Sequence, residues 1–394
     1  PMVHDLERYS SQLARAIELA GSPETLRRWL EDEISDEVVR SAVEQSAVLQ
    51  PKAVARFGEG LWWCTKRSLM QSTHARVADV KAAWMQGDQV FDLCCGIGGD
   101  GLALRCRSRS LTLVDRDPLM VAMAKANLQQ QHRPHTILKC IVDDVATTAI
   151  PAQAFVHIDP DRRVDGRRNS DPANYSPTWD AVLRRMNSAR GGLVKVAPAA
   201  RFSAPHEFHR AWLSFGGDVR EQTLVFGDAI DSFRDSLSAS TDPELVTAVV
   251  ITHQGSASLS GPPNGSCKRV ERPAAWMIDP NAAIRAAGLT AYFAKTNQLA
   301  AIGGPSGFLT GERVGPADLS ISERVVWQGS CDDRKLRRIL RDQNMYPARV
   351  KTRGVSHDSN ELEKRYRKCG QRPITLWIGK GKKRHFGAIT VPND

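Results

Sequence analysis

The chain has 394 residues, 54 Lys plus Arg against 44 Asp plus Glu, and 41% hydrophobic residues, a composition that excludes disordered, collagenous and coiled-coil chains and suits two or three domains with their own cores. No apolar run approaches the roughly 20 residues of a bilayer crossing, and residues 1–10 hold charges but no apolar signal core, so a cytoplasmic protein without a membrane partner is expected. The eight cysteines include no C-x-x-C half-site, so no metal is expected either.

Residues 1–70 read as a helical lead-in. Ser22-Pro23-Glu24 offers a capping hydroxyl, a proline at the first helical position and an acid in the first turn. From 71 to 258 short apolar runs alternate with helical stretches: 89–94, 111–115, 136–141, 154–158 and 192–196, then 219–226 and 245–252. This alternation predicts an α/β fold with a mostly parallel, Rossmann-like sheet. The Gly, Ser and Pro-rich stretch 255–266 reads as a surface loop or boundary. A connecting region, 259–330, contains a predicted helix at 282–296 and the turn Gly303-Gly304-Pro305. Residues 331–394 then predict a small α+β domain with helices at 333–344 and 360–368 and strands at 348–352, 374–378 and 385–391. These last 64 residues hold 17 Lys plus Arg and 7 Asp plus Glu, which is the whole +10 excess of the chain. A positive region so localised is what nucleic-acid modules show; a solvated basic surface is the plainer alternative.

Chemistry concentrates at Val90-Phe-Asp-Leu-Cys-Cys-Gly-Ile-Gly-Gly-Asp-Gly101, a strand, a tight glycine turn and a helix start. Gly96, Gly98 and Gly101 satisfy G-x-G-x-x-G, a weak signal alone. The acids are more specific. A dinucleotide would set its pyrophosphate at the helix N-terminus, where Asp100 adds a like charge, whereas Asp92, just before the turn, suits a cationic amino group. Asp115 closes the next strand, where an acid can accept from both ribose hydroxyls, and Asp117-Pro118 reads as a helix cap. Asp143-Asp144 closes the third strand, with Asp144 favoured over Asp143 for an adenine amine. Adenosine joined to an amino acid without phosphate is S-adenosylmethionine. The cofactor set is therefore Asp92, Gly96, Gly98, Asp115 and Asp144, with Cys94, Arg116 and Val145 beside them.

Asp92-Leu-Cys-Cys-Gly-Ile-Gly-Gly-Asp100 resembles motif I of class I S-adenosylmethionine-dependent methyltransferases, in the version of trimethylguanosine synthase and its bacterial relatives. Gly60-Leu-Trp-Trp-Cys and Met70-Gln-Ser-Thr-His-Ala-Arg-Val-Ala are similar to the segment preceding that motif, which implies that Thr73 lies near the cofactor. Residues 332–338, 350–355 and 370–376 resemble the signature of a C-terminal THUMP-like domain, and the resemblance spans roughly residues 50–394. In amino-methylating relatives the fourth strand ends in Asp/Asn/Ser-Pro-Pro-aromatic. Here it reads His157-Ile-Asp-Pro-Asp-Arg-Arg163, so Asp159 and Pro160 match while Asp161 and Arg162 depart.

The resemblance implies that Asp159 and Pro160 serve the acceptor. Arg162 can stack or bind phosphate, unless it pairs with Asp161. Arg163, Arg167 and Arg168 can track a nucleic-acid backbone, Lys195 can meet phosphate or neutralise Asp159, and Lys351 and Arg353 of the basic domain are expected to bind the substrate. Tyr175 and Trp179 can restore a stacking surface, although such a Trp more often packs into a core. His157 reads as a packed residue rather than a general base, and neither Cys94 nor Cys95 sits where a cytosine-attacking thiolate is needed. The expected function is methylation of RNA, most readily at a base amine. The rivals are a non-catalytic RNA-binding protein of the same fold and a methyltransferase for a small molecule or a protein.

Overall fold

The computed structural model describes residues 5–131, 136–164, 167–202, 208–240, 242, 244–303, 307–381 and 385–391. The side chains of residues 163, 164, 167 and 168 lie outside that description, as do Gly304 and Pro305 of the expected turn. The chain divides into two compact units, residues 1–211 with 221–243 and residues 212–220 with 244–394.

The first unit opens with α1 (Ser10–Leu19), α2 (Pro23–Glu33) and α3 (Glu37–Phe57). Helix α3 starts where the Asp36 carboxylate accepts from the amides of Val38 and Val39 at 2.9 and 3.1 Å, satisfying two of the orphan donors of its first turn. Ser22 occupies the N-cap of α2 ahead of Pro23, but its hydroxyl meets Thr25 Oγ1 at 2.9 Å rather than a backbone amide. After α4 (Lys66–Gln71) and α5 (Ala75–Ala82) come β1 (Gly87–Leu93), α6 (Gly99–Leu104), β2 (Ser108–Asp115), α7 (Pro118–Gln129), β3 (Ile137–Val142) and β4 (Phe155–Ile158). A two-stranded ribbon, β5 (Arg163–Val164) with β6 (Arg167–Arg168), precedes α8 (Trp179–Ser188) and β7 (Gly191–Val196).

Strands β7, β4, β1, β2 and β3 lie side by side in that order and all run parallel. The chain continues through β8 (Phe208–Phe215) to β9 (Asp218–Gly227), whose second half pairs antiparallel with β7, and α9 (Ala229–Leu237) follows. No sequence signal marks β8. Leu93, Val114, Val156, Ile158, Val194, Val196 and Leu224 form the packed centre of this unit, so the sheet is held by near-continuous apolar strands, as a doubly covered parallel sheet requires. Register aligns the carboxyl ends: Leu93 stands beside Val114 and Ile158, and Asp115 beside Val142. Loops leaving these ends converge on one edge, where ligands bind in such sheets.

In the second unit β10 (Val246–Ile251) pairs antiparallel with β11 (Ser256–Gly261). The Gly/Ser stretch expected as a loop is therefore partly a strand, because partner amides and carbonyls on β10 outweigh the low strand propensity of Ser and Gly. An eight-stranded sheet follows in the order β12 (Arg269–Val270), β14 (Ala300–Ile302), β15 (Phe308–Gly311), β13 (Trp276–Pro280), β16 (Ser320–Ser330), β19 (His385–Val391), β18 (Arg372–Lys380) and β17 (Met345–Arg353). Residues 259–330, expected as a connection, and 331–394, expected as a separate domain, thus share one sheet through the β16–β19 pairing. The helix expected at 282–296 is two, α10 (Ala282–Ala286) and α11 (Thr290–Thr296), parted at Gly288 with φ +72°. Helices α12 (Asp333–Asp342) and α13 (Ser359–Tyr366) bury Leu336, Leu340, Leu362 and Tyr366 against Ile374, Leu376 and Ile378. No described helix is long and apolar enough to cross a membrane.

Candidate active site

At the carboxyl edge of the parallel sheet lies a cavity of about 690 Å³. Thr73, Asp92, Cys94, Gly96, Asp100, Asp115, Arg116, Asp144, Val145, Asp159, Pro160 and Arg162 are among the residues lining it. Asp143, in contrast, turns inward to Thr148 Oγ1 at 2.9 Å. The glycine turn is shaped by Asp115, whose two carboxylate oxygens accept from the amides of Gly96 at 2.9 Å and Asp117 at 3.0 Å. Asp117 in turn caps α7 through Leu119 N at 2.9 Å. Burial pushes the Asp115 carboxyl upward, against these amides.

The two glycines of the turn do different jobs. Gly96 has φ +53°, and a Cβ there would touch nothing within 4 Å, so its missing side chain leaves open cavity. Gly98 has φ +83°, and a Cβ there would stand 2.6 Å from Leu128 Cδ1 and 3.3 Å from Ala124 Cβ. Gly98 does not line the cavity; it lets α7 pack against the turn. Its assignment as a cofactor ligand is corrected to a packing role.

Behind the cavity wall sits a buried charge network. Asp92 and His157 are register partners on β1 and β4, so their side chains share a face of the sheet, and His157 Nδ1 is 2.8 Å from Asp92 Oδ1. Asp92 Oδ2 is buried with no hydrogen-bond partner among the described residues. Lys81, on α5, ion-pairs with Asp100 Oδ1 at 2.7 Å and Glu221 Oε1 at 2.9 Å and lies 3.3 Å from His157 Nε2. Thr73 Oγ1 donates to Asp100 Oδ2 at 2.6 Å and accepts from Lys195 Nζ at 3.0 Å. Lys195 also holds Asp159 Oδ2 at 2.7 Å.

Electrostatics follow from this packing. Burial raises the Asp92 carboxyl above its ordinary value, opposed by the bond to His157. Burial acts the same way on Asp100 and Glu221, but Lys81 above all holds both low. Burial works against charge on Lys81, yet Asp100 and Glu221 keep its ammonium charged. For His157 burial and Lys81 oppose protonation while Asp100 and Asp92 favour it, and the balance lies above the ordinary imidazole value. Burial raises both the Cys94 and Cys95 thiols well above theirs, leaving neither poised as a nucleophile.

The cavity fits a ligand with an amino acid and an adenosine. The unpaired Asp92 oxygen needs a cation, and Gly96 leaves room for the ligand against the backbone. No family model matches the chain. An uncharacterized S-adenosylmethionine-dependent methyltransferase of Mycobacterium tuberculosis, represented in strains CDC 1551 and H37Rv, is 29% identical over 362 residues, 87% of this chain and 94% of the relative. A solved structure described as a candidate methyltransferase, from Porphyromonas gingivalis W83, superposes with TM-score 0.77 over 100% of both chains at 16% identity, a likeness of fold. The chain is similar along most of its length to an S-adenosylmethionine-dependent methyltransferase.

Around the cavity several expected contacts are rearranged. Asp161 pairs with Arg67 at 3.0 Å, accepts from Gln71 Nε2 at 3.3 Å and forms a backbone bridge with Ser176. Tyr175 and Trp179 provide no stacking surface. The Tyr175 hydroxyl accepts from Ala197 N at 3.0 Å, Trp179 packs on Phe202 with ring centroids 5.0 Å apart, and neither lines the cavity. Arginines stand there instead: Arg67, Arg116, Arg162 and Arg184, with Arg116 Nη1 3.2 Å from Ser176 Oγ.

Lys195 neutralises Asp159 from inside the protein and does not line the cavity. Of Arg163, Arg167 and Arg168 the structure describes only the backbone ribbon. Lys351 and Arg353 are corrected too: both turn onto Asp279, Lys351 at 2.9 Å, and lie over the rings of Trp377 and Phe308. With 14% of each side chain exposed, they neutralise a partly buried acid within the second unit rather than present charge to a polymer.

Lys81, Glu221, Arg67 and Arg184 carry no sequence signal of their own. None lies in a motif, and Lys81 looks like any helix-surface lysine until α5 is docked. The only available signal is Asp100, an acid in a glycine turn that needs a buried counter-charge.

Proposed function

We propose that this enzyme methylates RNA, with a base amine as the acceptor. The observation that carries the reading is the outer face of α12. Arg334, Lys335, Arg338 and Arg341 all lie exposed on it, opposite the buried Leu336 and Leu340, while α13 and the turn after it add the exposed Lys364, Arg367 and Lys368. An array of cations outside any folded core is the electrostatic footprint of a phosphodiester chain, and it lies in the region whose motifs resemble a THUMP-like domain.

Within the catalytic unit, S-adenosylmethionine supplies an electrophilic methyl group when bound. Asp92 takes its amino group, Asp115 the ribose hydroxyls and Asp144 the adenine amine. Asp159 Oδ2 is held by Lys195, which leaves Oδ1 to accept from the acceptor's amine and aim its lone pair; Pro160 shapes the same edge and Arg162 holds the substrate. Positioning of this kind can supply most of the acceleration. Loss of the amine's proton follows methyl transfer, and solvent at the open mouth can take it.

The four cavity arginines, with no aromatic ring among the described lining residues, favour a second reading, a small anionic acceptor. Labelled methyl transfer from the cofactor to RNA of a strain lacking the protein, followed by nucleoside analysis, separates the two. Label in a single modified nucleoside is expected, and label only in a low-molecular-weight acid would replace RNA with the second reading.

A further inference from the structure

We infer that His157 and Lys81 form a buried positioning relay that sets the charge and direction of Asp92 for the cofactor's amino group. The inference rests on the proposed role of Asp92 and extends it to two residues that touch no ligand. His157, Lys81 and Asp92 have side chains only 2%, 2% and 1% exposed, so solvent cannot substitute for any of their contacts. Lys81 has three N–H donors and three close neighbours, Asp100 Oδ1, Glu221 Oε1 and His157 Nε2. Two carboxylates take two protons, and the third must meet a lone pair, since two N–H groups would repel.

In the neutral ring His157 Nε2 is therefore the bare nitrogen, since the one carboxylate oxygen near it among the described residues, Asp100 Oδ1, lies 3.7 Å away, beyond hydrogen-bond distance, and the ring carries its proton on Nδ1. That proton is donated to Asp92 Oδ1 at 2.8 Å. The bond pins the carboxylate and occupies one oxygen inside the protein, so Oδ2, which has no partner among the described residues, is the oxygen left for the cation. Lys81 thus selects the tautomer and His157 transmits the choice. A histidine at this place is more than filler because its two nitrogens play opposite parts.

The test uses isothermal titration with two probes, S-adenosylhomocysteine, which has the amino acid, and 5′-methylthioadenosine, which lacks it. His157→Leu should weaken S-adenosylhomocysteine about tenfold or more, the scale of losing a hydrogen bond to a charged group, with 5′-methylthioadenosine unchanged. His157→Asn, which keeps a donor near the Nδ1 position, should restore most of the loss. Equal weakening of both probes, or none, overturns the relay.

Asp92→Asn tests the underlying reading separately. If it spares S-adenosylhomocysteine, Asp92 is not the amino-group ligand and the relay falls with it; if it weakens that probe while His157→Leu does not, only the relay falls. Imidazole ¹⁵N NMR of the wild-type protein at pH 8, assigned with His157→Asn, needs no stable His157→Leu variant. A protonated Nδ1 and a bare Nε2 are expected, and the reverse tautomer overturns the inference.

Discussion

Single residues in the glycine turn divide between holding the fold and leaving space, and substitution should separate them. Gly98→Ala forces a Cβ to 2.6 Å from Leu128 at φ +83° and should cost about 1–3 kcal/mol, read as a lower melting temperature. Gly96→Ala incurs only the left-handed backbone penalty of about 1 kcal/mol, but its methyl enters the cavity, so cofactor affinity should fall more than stability does. The opposite ranking in paired melting and titration experiments would reverse the two roles. The sequence marks both glycines through one pattern; what it withholds is which neighbour each faces, since Leu128 and Ala124 are brought in by α7. Cys94 has the same character, a non-glycine residue at φ +61° on the cavity wall, and no local rule predicts that conformation for cysteine.

Among elements, α12 is legible almost to the residue, because its Leu336 and Leu340 spacing and Asp332 cap are local signals; Asp332 Oδ1 accepts from Lys335 N at 3.0 Å. Its exposed cations give a prediction of polyelectrolyte behaviour. The double variant Arg334→Glu/Arg338→Glu should weaken RNA binding at least tenfold in low salt and flatten the log-affinity against log-salt slope by about 0.7 for each phosphate it no longer neutralises. Lys351→Ala should lower thermal stability and leave that slope unchanged, because its partner is Asp279. Equal slope changes in filter-binding titrations would return Lys351 to the binding surface. Strand β11 is illegible for the converse reason: Ser256–Gly261 has weak intrinsic preference, and only its pairing with β10 makes it a strand. Likewise the break at Gly288 interrupts an apolar pattern that reads as one helix.

At the scale of the molecule, the buried network makes folding depend on acid. Asp100 and Glu221 are held below their ordinary values in the native state, so there they bind fewer protons than the unfolded chain does. The stability they contribute is complete above their unfolded values, about 4, and is lost as pH falls through the folded ones. Lys81→Met removes the cation that holds them ionised. Its cost should be about 3–5 kcal/mol near neutrality, and its acid unfolding in a circular-dichroism titration should begin at higher pH than in the wild type. An unshifted acid transition would mean that Lys195 and His157 suffice as counter-charges.

The alternation of apolar runs, the glycine turn and three acids closing three strands are local or near-periodic signals, so the sequence by itself determined the parallel sheet and pointed to the edge where the cavity lies. Tertiary structure decided the partners of the buried charges. Lys81 came to Asp100 and Glu221 from separate elements, Lys195 turned to Asp159, Lys351 and Arg353 turned away to Asp279, and two strand-ordered regions merged into one sheet. Burial explains the difference: an acid's type is written at its own position, but its counter-ion is set by which distant segment the apolar core draws alongside it.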